Sequence, residues 1–281
     1  LETRPLDLSQ AGISDIRSLL ALVWPEATHI DERYLTWLYT KNPLGSAYGF
    51  NAYENGGLIG HYAAIPVEAL VCGRQELGLL SLNTAVHPEA RGKGLFKILA
   101  SACYEQARSQ GCAFVMGVSN QNSTLLFQRQ LKFQLVSPLA VKIGFGLAQE
   151  TPATKPDYMF QRVWSESLLA WRLQRPGEPY RSSQLRNGDQ AIYAPTGRYG
   201  IWAIMGEYAH VPHLGARFYW NPLQLWIGLD DHRSWKRSVA FDLPEKLRPS
   251  PLNFIFKDLT DQKRVLDAQS VKMSLLDFDA Y

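Results

Sequence analysis

Hydrophobic positions change their spacing several times in the first half of the chain, and each change predicts an element. Ile16, Leu19, Leu20 and Val23 recur every three or four residues, which gives one helix face an apolar stripe. Ser14 stands before them as a start signal and Pro25 after them as a stop. A second helix is predicted from Asp31 through Tyr34, Leu35, Leu38 and Tyr39 to the breaker Asn42-Pro43. The period then falls to two. Tyr48 to Tyr53 and Leu58 to Val67 flank the turn Asn55-Gly56-Gly57, the pattern of a hairpin, and Leu79 to Val86 continues the antiparallel meander.

From Leu95 the spacing is helical again, through Ile98, Leu99, Ala102 and Cys103, with Gly111 as the stop. Cys112 to Val118 is a continuous apolar run and fits a buried strand. A helix over Ser123 to Gln130 and a strand over Leu135 to Ile143 complete one α/β module. Ala148 to Pro156 turns to Gln, Glu, Thr, Pro and Lys, the composition of a linker.

Beyond the linker a short stretch repeats. Leu169-Ala170-Trp171-Arg172-Leu173 with Pro176 echoes Leu35-Thr36-Trp37-Leu38-Tyr39 with Pro43, each time a helix ending at proline before strands begin. The expected strands of the second half are Gln190 to Ala194, Gly200 to Met205, Asn253 to Phe256 and Val271 to Phe278. The fold class is therefore α/β in two related modules, residues 1–148 and 157–281, each a mixed and mostly antiparallel sheet flanked by helices.

The 281 residues suit two modules of about 100–150 residues. Apolar residues at 46% and charged residues at 20% exclude extended disorder. A net charge of +3, with basic residues scattered, gives no reason to expect nucleic acid. No apolar run approaches the roughly 20 residues of a membrane span. The cysteines Cys72, Cys103 and Cys112 lack metal-ligand spacing, so no metal is expected and a reducing, cytoplasmic setting fits. Oligomeric state is not legible.

The chemistry concentrates in Asn83-Thr84-Ala85-Val86-His87-Pro88-Glu89-Ala90-Arg91-Gly92-Lys93-Gly94-Leu95-Phe96, a strand running into an amphipathic helix. Two glycines let the backbone turn closely round a ligand, and the amides at a helix start suit a pyrophosphate. Neither the three-glycine dinucleotide fingerprint nor the Walker loop fits. The segment resembles the acetyl-CoA loop of the GNAT superfamily, in which Val-x-Pro is followed by Arg/Gln-x-x-Gly-x-Gly/Ala and a helix. Phe96 stands where Gly or Ala is usual. Asn120-Gln121-Asn122-Ser123 with Leu131-Lys132-Phe133 resembles the later GNAT segment that closes on the pantetheine arm, with Lys132 replacing a glycine. The helix end Trp37 to Pro43 and the Gly-Leu-Phe after the loop look most like two-module GNAT proteins of bacterial surface-polysaccharide functions.

The resemblance implies an N-acyltransferase that takes acetyl-CoA as donor and a small-molecule amine as acceptor. It implies that Ala85 and Val86 bond the pantetheine through their backbone, and that Arg91, Gly92, Lys93, Gly94 and Leu95 hold the pyrophosphate. Asn120 would stand at the opening between the strands, or simply cap a turn. The carboxylate frequent before the loop is replaced by Asn83, and Phe127 and Gln128 stand where a thiolate-protonating tyrosine is usual. A substrate amine of low pKa, such as an amino sugar, would ease that deficit.

His61 is the preferred base, against a satisfied core histidine as the structural alternative. His87, Glu68 and the carboxylate of Tyr281 are the other candidates. Tyr219, Trp220 and Trp226 are expected to form a sugar-stacking wall, core packing being the alternative. Two other functions compete. One is an acyl-CoA-binding protein without turnover; the other is a tandem GNAT aminoacyltransferase, which should show a basic groove in place of the loop.

Overall fold

In the computed structural model, residues 1–149, 157–198, 200–212, 223–248 and 251–278 are described. The first half runs β1 (Glu2–Pro5), α1 (Gln10–Val23), α2 (Glu32–Thr40), β2 (Tyr48–Glu54), β3 (Gly57–Val71) and β4 (Arg74–Val86). It continues with α3 (Leu95–Ser109), β5 (Phe114–Ser119), α4 (Gln121–Leu131), β6 (Gln134–Pro138) and β7 (Ala140–Phe145). The second half holds β8 (Phe160–Arg162), α5 (Glu166–Leu173), β9 (Arg181–Gln184), β10 (Gln190–Pro195) and β11 (Ile201–Tyr208). It ends with β12 (Leu223–Gly228), β13 (Val239–Asp242), β14 (Asn253–Asp258) and β15 (Val271–Lys272).

The α/β class is as expected, with two mixed sheets, but the sheets do not divide at the linker. The first is ordered β1-β2-β3-β4-β5-β14-β6, with β8 on the far end of β3 and β15 on β8. The second is ordered β13-β7-β12-β11-β10-β9. Strand β14 thus crosses from the second half into the first sheet, antiparallel between β5 and β6, and β7 crosses the other way, antiparallel between β12 and β13. The single strand expected over Leu135 to Ile143 is two strands in different sheets, broken at Leu139. Val271 to Phe278 is mostly turn: only its first two residues are strand, and Leu275–Asp277 forms a tight helical turn.

The exchange is reciprocal. Each sheet has a parallel pair, β4 with β5 and β11 with β12, beside which the foreign strand inserts; the first has a second in β8 with β15. The echoing helices meet. Trp37 stacks on Trp171 with ring centroids 4.8 Å apart and planes at 17°. Each indole N–H points at the other's carbonyl, at 3.2 Å from Trp37 and 3.5 Å from Trp171. The two echoing segments of the sequence thus pack against each other. Among the described residues the second sheet's half carries only one α-helix, α5, so it is less fully flanked than expected.

The larger core joins the first sheet, α1, α2 and α5 to one face of the second sheet, and includes Leu35, Phe114, Phe160, Phe254, Ile192 and Met205. A second core, with Leu79, Leu95, Leu99, Cys103 and Phe127, lies under α3 and α4 on the sheet's other face. Helix caps account for the boundaries. Asp31 accepts the amide of Tyr34 at the start of α2, and Ser9, earlier than the expected Ser14, accepts that of Gly12 at the start of α1. Cys103 and Cys112 are buried, and burial raises both thiols, Cys103 to about 12 with the neighbouring Cys112 adding to the effect. These are packed, inert thiols.

Candidate active site at the divergence of β4 and β5

Strands β4 and β5 pair in parallel for three rungs only, Gly78 with Phe114, Leu79 with Val115 and Leu80 with Met116. Beyond Leu80 they part. The backbone of β4 from Ser81 to Val86 keeps its rungs to β3, so its other edge faces the gap. The backbone of β5 is held on its far side by β14, from Phe114 to Ser119. A gap with unpaired strand edges is a place for an extended, amide-bearing ligand.

A bulge bends β4 beside this gap. Between the rungs Ala63–Leu82 and His61–Ala85 there is one residue on β3, Tyr62, but two on β4, Asn83 and Thr84. Asn83 takes φ 45°, the left-handed region that asparagine tolerates better than most residues. Its amide donates to the hydroxyl of Tyr39 at 3.0 Å. Tyr39 is bonded to His61 Nε2 at 3.0 Å, and His61 Nδ1 to Asn51 Oδ1 at 2.7 Å. Because an amide oxygen can only accept, Nδ1 carries the proton and Nε2 accepts from Tyr39.

His61 is 0% exposed, and burial pushes its pKa down to about 3. It is a neutral, fully bonded core residue. Tyr39 is equally buried, and desolvation holds its phenol well above the ordinary value. The preferred base therefore meets no substrate directly; His61 anchors Tyr39, which anchors Asn83 in the bulge. Glu68 lies lower on β3, where its carbonyl accepts from Arg162 and Val163. His87 Nδ1 accepts the amide of Glu89 at 3.3 Å and caps the turn Pro88–Ala90.

At the mouth of the gap the loop enters α3. Gly92 and Gly94 take φ 83° and 73°, conformations in which any other residue is strained. A Cβ on either would meet nothing within 4 Å, so the loop backbone borders open space. Gly94 is the N-cap of α3 and offers no side-chain acceptor, which leaves the first-turn amides of Leu95, Phe96 and Lys97 for a ligand or solvent. Lys93 does not point freely from the rim: its ammonium bridges both oxygens of Glu54 at 2.8 and 2.9 Å. Arg91 is exposed. Ala85 and Val86 lie on β4 just past the bulge, on the unpaired edge.

Asn120 is the N-cap of α4, where its side-chain oxygen accepts the amide of Ser123 at 2.9 Å. The structure gives it the turn-capping role at the end of β5. Trp226 is corrected. It is 3% exposed, met by Trp235 with centroids 5.2 Å apart and covered by the Arg233 guanidinium at 5.1 Å. No face remains for a sugar ring. Tyr219 and Trp220, like Tyr281, lie outside the described residues.

The sequence reading passed over Ser81, Tyr62 and Tyr104. Tyr62 donates to Ser81 Oγ at 2.7 Å, and its hydroxyl is 2.6 Å from that of Tyr104. Ser81 is the first residue past the last β4–β5 rung. Its alternation with the apolar Leu80 and Leu82 is the signal that could have found it.

Residues 14–133 match the model of the acetyltransferase (GNAT) family. The first module has the GNAT fold. Solved structures extend the likeness in fold to nearly the whole chain. A GCN5-related N-acetyltransferase from Anabaena variabilis superposes with TM-score 0.61 at 14% identity, over 93% of this chain and 74% of that one. A probable N-acyltransferase from Enterococcus faecalis gives 0.55 at 14% identity, over 92% and 73%. Eis1 from Mycobacterium abscessus gives 0.52 at 12% identity, over 80% of this chain and 65% of that one. No curated protein sequence matches. Among the described residues no helix is long and apolar enough to cross a membrane, and no cluster of three or more His, Cys, Asp or Glu is placed to hold a metal.

Proposed function

We propose that this protein is a GNAT-family N-acyltransferase that transfers the acetyl group of acetyl-CoA to a primary amine of low pKa, an amino sugar being the favoured class. The observation that carries the reading is the glycine-built, uncapped start of α3 at the mouth of the β4–β5 gap. There the pyrophosphate would rest on the amides from Arg91 to Leu95. The pantetheine would run along the free edge of β4 past Val86 and Ala85, bringing the thioester to the point of divergence.

The gap itself narrows the acceptor. Its diverging segments, Ser81–Thr84 and Gly117–Ser119, contain no side chain that ionises near neutrality. The amine must then reach its neutral form with little help. That costs about 4.6 kcal/mol at pH 7 for a lysine-like amine but only about 1 kcal/mol for one titrating near 7.8. The low-pKa acceptor also explains how Asn83 can stand in place of a carboxylate.

Titration calorimetry with acetyl-CoA tests the donor site. Replacing Gly92 and Gly94 together by Val should abolish binding while the chain stays folded, because both positions require φ values that Val resists. Unchanged affinity in a folded double variant refutes the site. A screen of primary amines for thiol release then identifies the acceptor, and kcat/KM should rise with pH through the acceptor's own pKa.

A further inference from the structure

Behind β4 a chain of three hydroxyls, Tyr104, Tyr62 and Ser81, leads to the point where β4 and β5 part. We propose that Ser81 is a catalytic residue whose hydroxyl donates a hydrogen bond to the departing CoA sulfur, and that Tyr62 and Tyr104 are the positioning residues behind it. The inference rests on acyl-CoA binding in the gap as set out above.

Three observations converge. The first is place: Ser81 follows Leu80, the last residue of β4 paired to β5, so it stands where the gap opens. The second is facing. Across the opening is Gly117, and a Cβ built there would touch Ile255 at 3.4 Å and the Cβ of Ser81 at 3.6 Å, so the two positions face each other on the same side of the sheet and Gly117 sets no side chain against the serine.

The third is direction. Tyr62 donates to Ser81 at 2.7 Å. Having spent its proton there, Tyr62 must accept from Tyr104 at 2.6 Å. The chain runs Tyr104 to Tyr62 to Ser81, so the serine oxygen accepts from Tyr62, and its own proton can turn to Tyr104 or into the gap. Hydrogen bonds in such a chain polarise one another, which makes the terminal hydroxyl a better donor.

The neutral amine nitrogen attacks the thioester carbonyl carbon and forms the C–N bond. When the tetrahedral intermediate collapses, the C–S bond breaks and its electron pair goes to sulfur. Ser81 bonds that developing thiolate without surrendering its proton. The proton shed by nitrogen reaches water, and the released thiolate takes its own from water. The phenols stay protonated, since burial raises both well above a thiol's ordinary range near 8.5. A tyrosine acid on α4, where Phe127 stands, is then not needed.

The test compares the wild type with Ser81→Ala, Ser81→Thr and Tyr62→Phe, measuring acetyl-CoA affinity by calorimetry and thiol release under saturating donor. The acceptor is the best amine of the screen, or water if no amine is turned over. Ser81→Ala should bind acetyl-CoA as the wild type does and release thiol about 10- to 100-fold more slowly, the worth of one hydrogen bond to a charged atom. Ser81→Thr should recover most of the rate, and Tyr62→Phe should lose less than Ser81→Ala. A melting curve controls for folding. Equal rates in wild type and Ser81→Ala overturn the assignment while leaving the donor site intact, and so does a loss confined to acetyl-CoA affinity. Failure of the wild type to bind acetyl-CoA overturns the parent reading instead.

Discussion

The buried imidazole of His61 makes stability depend on pH in a way that separates its role from that of a base. The group is neutral in the folded chain down to about pH 3, against 6.5 when solvated. The unfolded chain therefore binds the extra proton first. The stabilisation is complete above about 6.5 and is lost progressively as pH falls towards 3. At 1.36 kcal/mol per unit, the whole window is worth about 5 kcal/mol, of which about 2 kcal/mol is lost between neutrality and pH 5. Urea unfolding at those two pH values, on the wild type and on His61→Gln, measures the difference. Glutamine can donate to Asn51 and accept from Tyr39 but does not titrate, so the variant should lack that 2 kcal/mol slope. Identical slopes would refute the assignment of a neutral, buried imidazole. The pH–rate profile should keep its shape in the variant, because a group titrating near 3 is silent through the working range.

Two further outcomes are expected. Asn83→Gly should keep the bulge and most of the activity, whereas Asn83→Val should lose about 2 kcal/mol of stability and most turnover, since a β-branched residue resists the left-handed conformation; melting temperature and thiol release report both. Trp37→Leu should destabilise the chain by about 3 kcal/mol in chemical unfolding, through loss of the stacked indole and of its hydrogen bond to Trp171, and a loss below about 1 kcal/mol would mean the two halves do not depend on that contact.

What was legible in the sequence was local. The periodic runs gave α1 to α4 and the β2–β3 hairpin, and the loop glycines at 92 and 94 do adopt the left-handed turn their spacing suggested. The Trp-containing echo pointed to two helices that do pair. What was hidden depends on partners far along the chain. Nothing in Leu135 to Ile143 tells that residues either side of Leu139 join different sheets, because both pieces present the same apolar alternation. Nothing in Asn253 to Phe256 tells that its neighbours are β5 and β6. Nor does composition separate an aromatic wall from a core: Trp226 packs inward because Gln224 and Trp226 share a strand whose buried face meets Trp235 and Arg233. His61 is a similar case, since only the three-dimensional pairing with Asn51 and Tyr39 reveals that both ring nitrogens are already bonded.

The strand exchange bears on why the proposed donor site has no counterpart in the second sheet. In the second sheet β11 and β12 also pair for a few rungs, Ile201–Leu223 to Ile204–Trp226, and then part. There the chain's own segment from Met273 to Phe278 fills the space. The turn Leu275–Asp277 packs on both strands, Met273 bridges to Leu229, and a Cβ on Gly228 would lie 2.1 Å from the Met273 carbonyl oxygen. Met273, Leu275, Leu276 and Phe278 are each at most 2% exposed. Arg162 and Arg172 hold the segment by donating to the carbonyls of Asp277 and Phe278, at 2.9 and 3.0 Å. Opening this second gap would expose four apolar side chains at roughly 1.5–3 kcal/mol each, more than a loosely bound cofactor returns. The first gap, by contrast, owes its far wall to β14, which covers the edge of β5 that would otherwise be bare. Residues 1–148 alone lack that strand, so the proposed donor site would belong to the whole chain, the second half contributing a structural strand even before any contact with an acceptor.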